Sequence, residues 1–424
     1  MDTAIIVLFN RDLRVHDHPA LAEACARARH VVPLFVLDPA VPAGRRMPFL
    51  LDCLRDLREA LRALGGDLVV RRGDTVAETV RLARETGAEA VHATADVSAL
   101  ARDRERRLAG GPFAFRTFPG VTVVPPGELR PATGGDHHRV FTPYWRAWST
   151  ARRRPAAAVP ASVTLPPGLN PGDIPDGSPH DGPPDGVRGG EGAARARLER
   201  WVRDGLAGYA AGRDDMAADR TSRLSPYIRF GCLSPLELAG LPGEEFVRQL
   251  CWRDFHHQVT LAFSELNRRD YRPRGRRWRD EADAVAAWKE GVTGVPIVDA
   301  GMRQLRAEGW MHNRARLITA GYLVKELGVD WRTGAAHFFE LLLDGEVADN
   351  SGNWQWVAGT GNDTRPNRGF STIRQATRFD PDGGYARRYV PELADVPVRF
   401  VHEPWRSPVP IRGYPGRPPR LRAA

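Results

Sequence analysis

Asn350 to Gly361 reads NSGNWQWVAGTG, with two indoles, Trp354 and Trp356, on either side of one glutamine. On a helix, residues two apart point about 200° away from each other, because the helix turns once in 3.6 residues. One indole then looks into the domain and the other into a cavity, whereas two indoles meant for one core stripe stand three or four apart. Trp278, Trp331 and Trp354 lie on separate segments that folding can bring into a line, and indoles at short spacing can pass an electron. Scattered core and surface indoles are the plainer alternative. TSRLSP (221–226) crowds three hydroxyls and an arginine at a helix start. Hydroxyls and backbone N–H groups at a helix N-terminus cradle phosphate, and a simple N-cap uses the same residue types. By the three-and-four rule Gln249 and Trp252 share one helical face, as do Asn313, Arg316 and Leu317. Arg316 and Asp344 each offer half of an ion pair.

Two kinds of scaffold must position these groups. AIIVLF (4–9), VVPLFVLD (31–38), DLVVRR (67–72) and AEAVHAT (88–94) alternate with helical patterns, which is the signature of βαβ units on a parallel sheet. The expectation is a doubly wound α/β domain over residues 1–128. LFNRDLRVHDHPAL follows the first strand where a G-x-G-x-x-G would stand, which argues against a Rossmann dinucleotide grip. His16 and His18, two apart in a turn, read as solvated side chains. Residues 129–193 read as a linker, with 155–193 rich in Pro, Gly and Asp and running over the surface. From 194 to 424 the patterns are helical, as in EEFVRQLCWRDFHHQVTLAF, and an all-α domain is expected.

The chain has 424 residues, a net charge of +9 and a pI near 9.8, which is the footprint of a nucleic-acid binder. Lysine occurs only at Lys289 and Lys325 while Ala, Gly and Pro abound, so a GC-rich genome would give the same arginine-rich composition without binding. The four cysteines (Cys25, Cys53, Cys232, Cys251) are far apart with no CxxC pair, which argues against a disulfide framework and against a metal cluster. No run reaches membrane-spanning length, and the first residues lack a basic leader before a long apolar region. A cytoplasmic, monomeric protein is expected.

RDLRxxDHPAL (11–21), FTPYWRAW (141–148), TSRLSPYIRFGCLSP (221–235), CWRDF (251–255), GVPIVDAGMRQLRAEGWMHNRARL (294–317), DGEVADNSGNWQW (344–356) and RFDPDGGYARRYVPEL (378–393) stand in the order found in the photolyase/cryptochrome family. The chain resembles that family over almost its whole length, and most of all a class I cyclobutane pyrimidine dimer photolyase. The resemblance implies an N-terminal α/β domain able to hold an antenna chromophore (deazaflavin, methenyltetrahydrofolate or a second flavin), a linker, and a helical domain that binds FAD. It implies that Tyr209, Thr221, Ser222, Arg223, Leu224 and Ser225 hold the FAD phosphates and ribityl chain. Gln249, Trp252, Arg253, Asn313 and Glu346 would line the cofactor site, Arg316 and Asp344 would pair beside the isoalloxazine, and Asn350 would face its reducible nitrogen. Trp354, Trp331 and Trp278 match the photoreduction chain.

The activity implied is light-driven splitting of a pyrimidine dimer in damaged DNA, flipped out of the helix onto Trp252 and Trp356. Asn313 and Leu317 would border the lesion, and Arg213, Arg314 and Arg368, with the run 268–279, would contact phosphates. The alternative is a cryptochrome-like blue-light receptor, or a photolyase of altered lesion choice. Gln249 stands where dimer photolyases carry glutamate, as it does in enzymes for (6-4) photoproducts. Those enzymes have histidines at the positions of Asn313 and Leu317, and a general acid is what their chemistry needs. His312 is offset by one residue and is expected to point elsewhere. Leu317 replaces a frequent methionine, Glu346 a common aspartate and Asn10 an arginine, and NRGFST (367–372) is one residue short.

Overall fold

The computed structural model describes residues 3–41, 43–176, 187–365, 369–416 and 418. The chain divides into two compact units, one of residues 1–203 with 223–264 and the other of 204–222 with 265–424.

The first unit is built on five parallel strands in the order β3-β2-β1-β4-β5. The strands are β1 (Ala4–Phe9), β2 (His30–Leu37), β3 (Val69–Arg72), β4 (Ala88–Thr94) and β5 (Ala114–Phe118). Helices α1 (Pro19–Arg27), α2 (Met47–Ala63), α3 (Thr75–Thr86) and α4 (Ala99–Ala109) connect them. Central β1 is buried at all six positions, so its run AIIVLF is apolar without alternation, as a parallel strand covered on both faces must be. The fifth strand, AFRTF, is mostly exposed. Lacking an apolar run, it gives no periodic signal, and the sequence expectation stopped at four strands. Segment 163–172 lies along the opposite side: Val31 N–H donates to the Thr164 carbonyl at 2.9 Å and Val70 N–H to that of Pro171 at 2.7 Å.

Residues expected only as a connection thus hydrogen-bond to the sheet, and they contain a helix, α5 (Phe141–Thr150). After α6 (Glu191–Asp204) the chain enters the second unit through α7 (Tyr209–Gly212) and returns to the first with α8 (Ser225–Phe230), α9 (Pro235–Leu238) and α10 (Glu244–Ala262). Gly231 ends α8 with φ +71°, and a Cβ there would stand 2.0 Å from the Arg11 carbonyl oxygen, so only glycine fits the FGCLSP turn.

The described residues of the second unit form no strand. Its helices are α11 (Ala282–Glu290), α12 (Pro296–Glu308), α13 (Asn313–Gly321), α14 (Trp331–Leu341), α15 (Val347–Ala358), α16 (Thr372–Phe379) and α17 (Gly384–Tyr389), with a π-helical turn at Tyr322–Glu326. Trp288, Trp331, Trp354 and Tyr385 belong to one buried core cluster, with Trp278 and Trp356 packed against it half-buried.

Candidate functional site

Within the second unit, α13 presents Asn313 exposed and Arg316 and Leu317 half-buried, the face that the spacing implied. Arg316 makes a two-pronged ion pair with Asp344 (Nη1–Oδ1 3.1 Å, Nη2–Oδ2 2.8 Å), and its Nε donates to the Met311 carbonyl at 2.8 Å. The Asp344 side chain is 5% exposed and that of Arg316 24%. A fork of two parallel bonds fixes the guanidinium plane, which a lysine could not do.

Helix α15 carries Asn350, Trp354 and Trp356. Asn350 Nδ2 donates to the Ala335 carbonyl at 2.9 Å, which fixes the amide with Oδ1 as its acceptor end. Trp354 is 3% exposed, edge-on to Phe338 (centroids 4.9 Å) and to Trp288 (6.2 Å). Trp356, two residues on, is half-buried, so the indoles differ in environment as the helical angle demands. Trp331 opens α14, fully buried, and its Nε1–H donates to Asp270 Oδ1 at 2.9 Å. Arg332 pairs with the same oxygen at 2.8 Å and stands over the Trp331 ring. Half-buried Trp278 has the Arg276 guanidinium 5.9 Å from its ring centre.

Tyr209 opens α7 and Arg213 follows its end, both half-buried. Thr221 Oγ1 donates to Asp219 at 2.9 Å, and Asp219 holds φ +47°. Half-buried Ser222 is the last residue of this stretch.

In the first unit Arg223 holds φ +51°, another non-glycine in the left-handed region, where such residues cluster at functional loops. Leu224, whose side chain has no polar atom, is the N-cap of α8. Ser225 is the first helical residue. On α10, Gln249 Nε2 donates to the Glu245 carbonyl at 3.3 Å. Half-buried Trp252 stacks flat on Phe141, with ring centroids 3.6 Å apart and planes 3° from parallel. Arg253 is buried and donates to the Val121 carbonyl, which makes it a support for the 121–124 segment.

Beside it Asp254 Oδ2 accepts from Val123 N, Val124 N and Trp148 Nε1 at 2.8–3.0 Å. Burial pushes the Asp254 carboxyl up to about 6, against the pull of those donors. No spacing in the sequence announced this hub, because its partners are remote in the chain.

The solvated reading of His18 is corrected by the geometry. His18 is buried: its Nδ1 caps α1 at Leu21 N (3.1 Å) and its Nε2 lies 2.9 Å from Asp12, so only His16 remains exposed to solvent. Arg14 of the same motif is fully buried and donates to the carbonyls of His16, Asp17, Gly120 and Gly231, a structural use of RDLR. Arg314 is engaged by Asp214 at 2.6 Å and lies 4.1 Å over Phe379, while Arg368 lies outside the described residues. Glu346 is buried, and its carbonyl accepts from Asn350 N at 2.9 Å. His312 caps α13 by accepting from Arg314 N at 3.1 Å and is buried, and burial lowers its pKa. A cavity of about 190 Å³ at the ends of β4 and β5 is lined by Asp96, Arg102, Glu105, Val121, His257 and Leu261. It falls short of the roughly 300 Å³ at which small-molecule sites begin.

Residues 5–162 match the family described as DNA photolyase, and residues 246–415 match the FAD binding domain of DNA photolyase. A deoxyribodipyrimidine photo-lyase of Streptomyces griseus is 49% identical, aligned over 95% of this chain and 92% of its own length. The chain belongs to the photolyase/cryptochrome family. A cryptochrome DASH of Natronomonas pharaonis is 36% identical over 96% of this chain and 94% of its own. The crystal structure of a class III photolyase from Agrobacterium tumefaciens superposes with a TM-score of 0.88 at 33% identity, covering 96% and 90% of the two chains.

For a family whose helical domain binds FAD, the donor set is chemically apt: a rigid guanidinium–carboxylate pair at Arg316 and Asp344, and an amide at Asn350 with its acceptor end fixed.

Proposed function

We propose that the protein is a light-driven DNA repair enzyme that splits cyclobutane pyrimidine dimers. When bound and reduced, FAD supplies the photochemical electron donation on which such a reaction depends. We assign its binding to Tyr209, Thr221, Ser222, Arg223, Leu224, Ser225, Gln249, Trp252, Arg253, Asn313, Arg316, Asp344, Glu346 and Asn350. Hydroxyls and N–H groups of 221–225 bind phosphate oxygens. The Arg316–Asp344 fork holds a fixed charge pair at the ring, and Asn350 Oδ1 accepts an N–H proton there.

Trp278, Trp331 and Trp354 are the redox-active side chains of this unit. Buried Trp331 and Trp354 are shielded from water, and half-buried Trp278 faces external reductants. Asp270 fixes the Trp331 N–H, and the Arg332 guanidinium on the same oxygen offsets its charge at that indole. Trp252 and Trp356 stack the flipped bases, at roughly 1–3 kcal/mol per base, which matches the few kcal/mol that flipping costs. Arg213, Arg314 and Arg368, with Asn313 and Leu317, border the DNA, and the exposed arginines of 268–279 add salt-dependent attraction.

The observation that carries this reading is helix α15, which bears a pinned amide, a buried indole and a half-buried indole within seven residues. For the (6-4) reaction the chain offers no acid at Asn313 or Leu317, and neighbouring His312 is spent as a helix cap. The motifs resemble a class I enzyme, whereas the solved relative above is a class III photolyase. A blue-light receptor is the rival, given the relative named cryptochrome DASH.

The test incubates reduced protein with duplexes carrying either lesion, with and without blue light. Dimer loss that needs light and is confined to cyclobutane lesions is expected. Light-independent loss, or none, removes the proposal in favour of the receptor. Trp354→Phe should slow photoreduction and spare repair by pre-reduced protein; equal damage to both contradicts the division of labour.

A further inference from the structure

We propose that Phe141 is a positioning residue for lesion capture, a flat backing plate that fixes the plane of Trp252 so that its other indole face receives a flipped base. This rests on the stacking role of Trp252 given above. Phe141 opens α5, is buried, and lies parallel to Trp252 at 3.6 Å. Phe255 stands perpendicular to both plates, 5.8 Å from Phe141 at 89° and 5.6 Å from Trp252 at 88°. Two rings meeting face to face set like quadrupoles against each other, which bare rings avoid in favour of offset or edge contacts. The Arg248 guanidinium, 5.5 Å from the Phe141 ring centre, offsets that repulsion by drawing on the π-density.

An indole held this way has already lost its rotational freedom before DNA arrives. Stacking a base on it therefore costs less ordering entropy than stacking on a mobile side chain. Trp252 remains half-buried, so part of the ring is still open to a partner.

The test compares Phe141→Leu, Phe141→Tyr and Trp252→Ala in the flavin-loaded protein. It measures affinity for lesion-bearing and undamaged duplexes, FAD content, thermal midpoint, and KM and kcat for repair. Phe141→Leu keeps apolar volume and loses the plate. It should weaken lesion affinity about two- to tenfold, the range of an aromatic pair, and raise KM while kcat, FAD content and undamaged-DNA affinity hold. Phe141→Tyr should restore wild-type values. Phe141→Met repeats the comparison if the leucine variant loses flavin. Trp252→Ala weakening lesion binding while Phe141→Leu does not overturns this inference alone. Equal loss of affinity for both duplexes assigns Phe141 a merely structural part and also overturns it. Trp252→Ala without effect removes both the inference and the stacking role beneath it.

Discussion

Alanine in place of Gly334 tests whether the indole of Trp354 has anywhere to go. A Cβ at Gly334 would stand 2.1 Å from Trp354 Cη2, 2.5 Å from Cζ3 and 2.7 Å from Leu323 Cδ2. Carbon atoms in van der Waals contact rest at about 3.5–4.0 Å, so the ring would have to retreat by more than about 1 Å. Phe338 and Trp288 hold its other sides, and the ring is almost fully buried, so retreat displaces packed aromatics. Overpacking of this kind costs roughly 1–3 kcal/mol. With a contact as short as 2.1 Å the overpacking falls in the upper part of that range, about 2–3 kcal/mol; alanine regains about 1 kcal/mol over glycine inside a helix, which leaves a net loss of about 1–2 kcal/mol. Gly208, whose added Cβ meets nothing within 4 Å, is the control, and Gly208→Ala should be neutral. Urea unfolding and the rate of light-driven flavin reduction are measured on both variants. Because the shifted ring is the one assigned to electron transfer, Gly334→Ala should lose stability and photoreduce at an altered rate. A Gly334→Ala protein as stable as the wild type and photoreduced at the same rate would refute the packing argument.

Trp356→Ala should weaken binding to lesion-bearing DNA by about five- to a hundredfold, the worth of one stacked base, with little loss of stability; unchanged affinity in a filter-binding assay rules out its stacking role. Asp344→Asn removes the charge that holds Arg316 and should cost about 1–3 kcal/mol together with FAD retention on gel filtration; full retention contradicts the assigned pair. The Asp254 carboxyl sits near 6 when folded, above the ordinary 3.8, so the folded state holds its proton more tightly. Stability conferred at this site is therefore greatest below about pH 4 and is lost as pH rises to about 6, on the order of 3 kcal/mol in all. Urea midpoints of wild type and Asp254→Asn should accordingly drift apart between pH 4.5 and 7, and a constant difference would count against the raised value.

Local chemistry was legible in the sequence and remote pairing was not. The three-and-four spacing of Asn313, Arg316 and Leu317 places them on one face because a helix enforces its own period. Trp354 and Trp356 likewise differ in burial because α15 turns between them. The edge strand AFRTF escaped because an exposed strand need not be apolar. His18 was misread because nothing in HDHPAL shows that one ring nitrogen caps a helix while the other meets Asp12. Arg253 and Asp254, which anchor the 121–124 segment, and Phe141 under Trp252 depend on contacts between distant stretches, and no local period encodes those.

Prolines at 166, 167 and 171 mark the strip that borders β2 and β3 in the first unit. Thr164 accepts the hydrogen bond of Val31 and Pro171 that of Val70, and Pro171, like its neighbours at 166 and 167, has no N–H to hand onward, so the lattice of strands stops there. The strip acts as a selvedge on woven cloth: unpicked by proteolysis or deletion, it would bare two donors to any passing strand and invite the chains to stitch together.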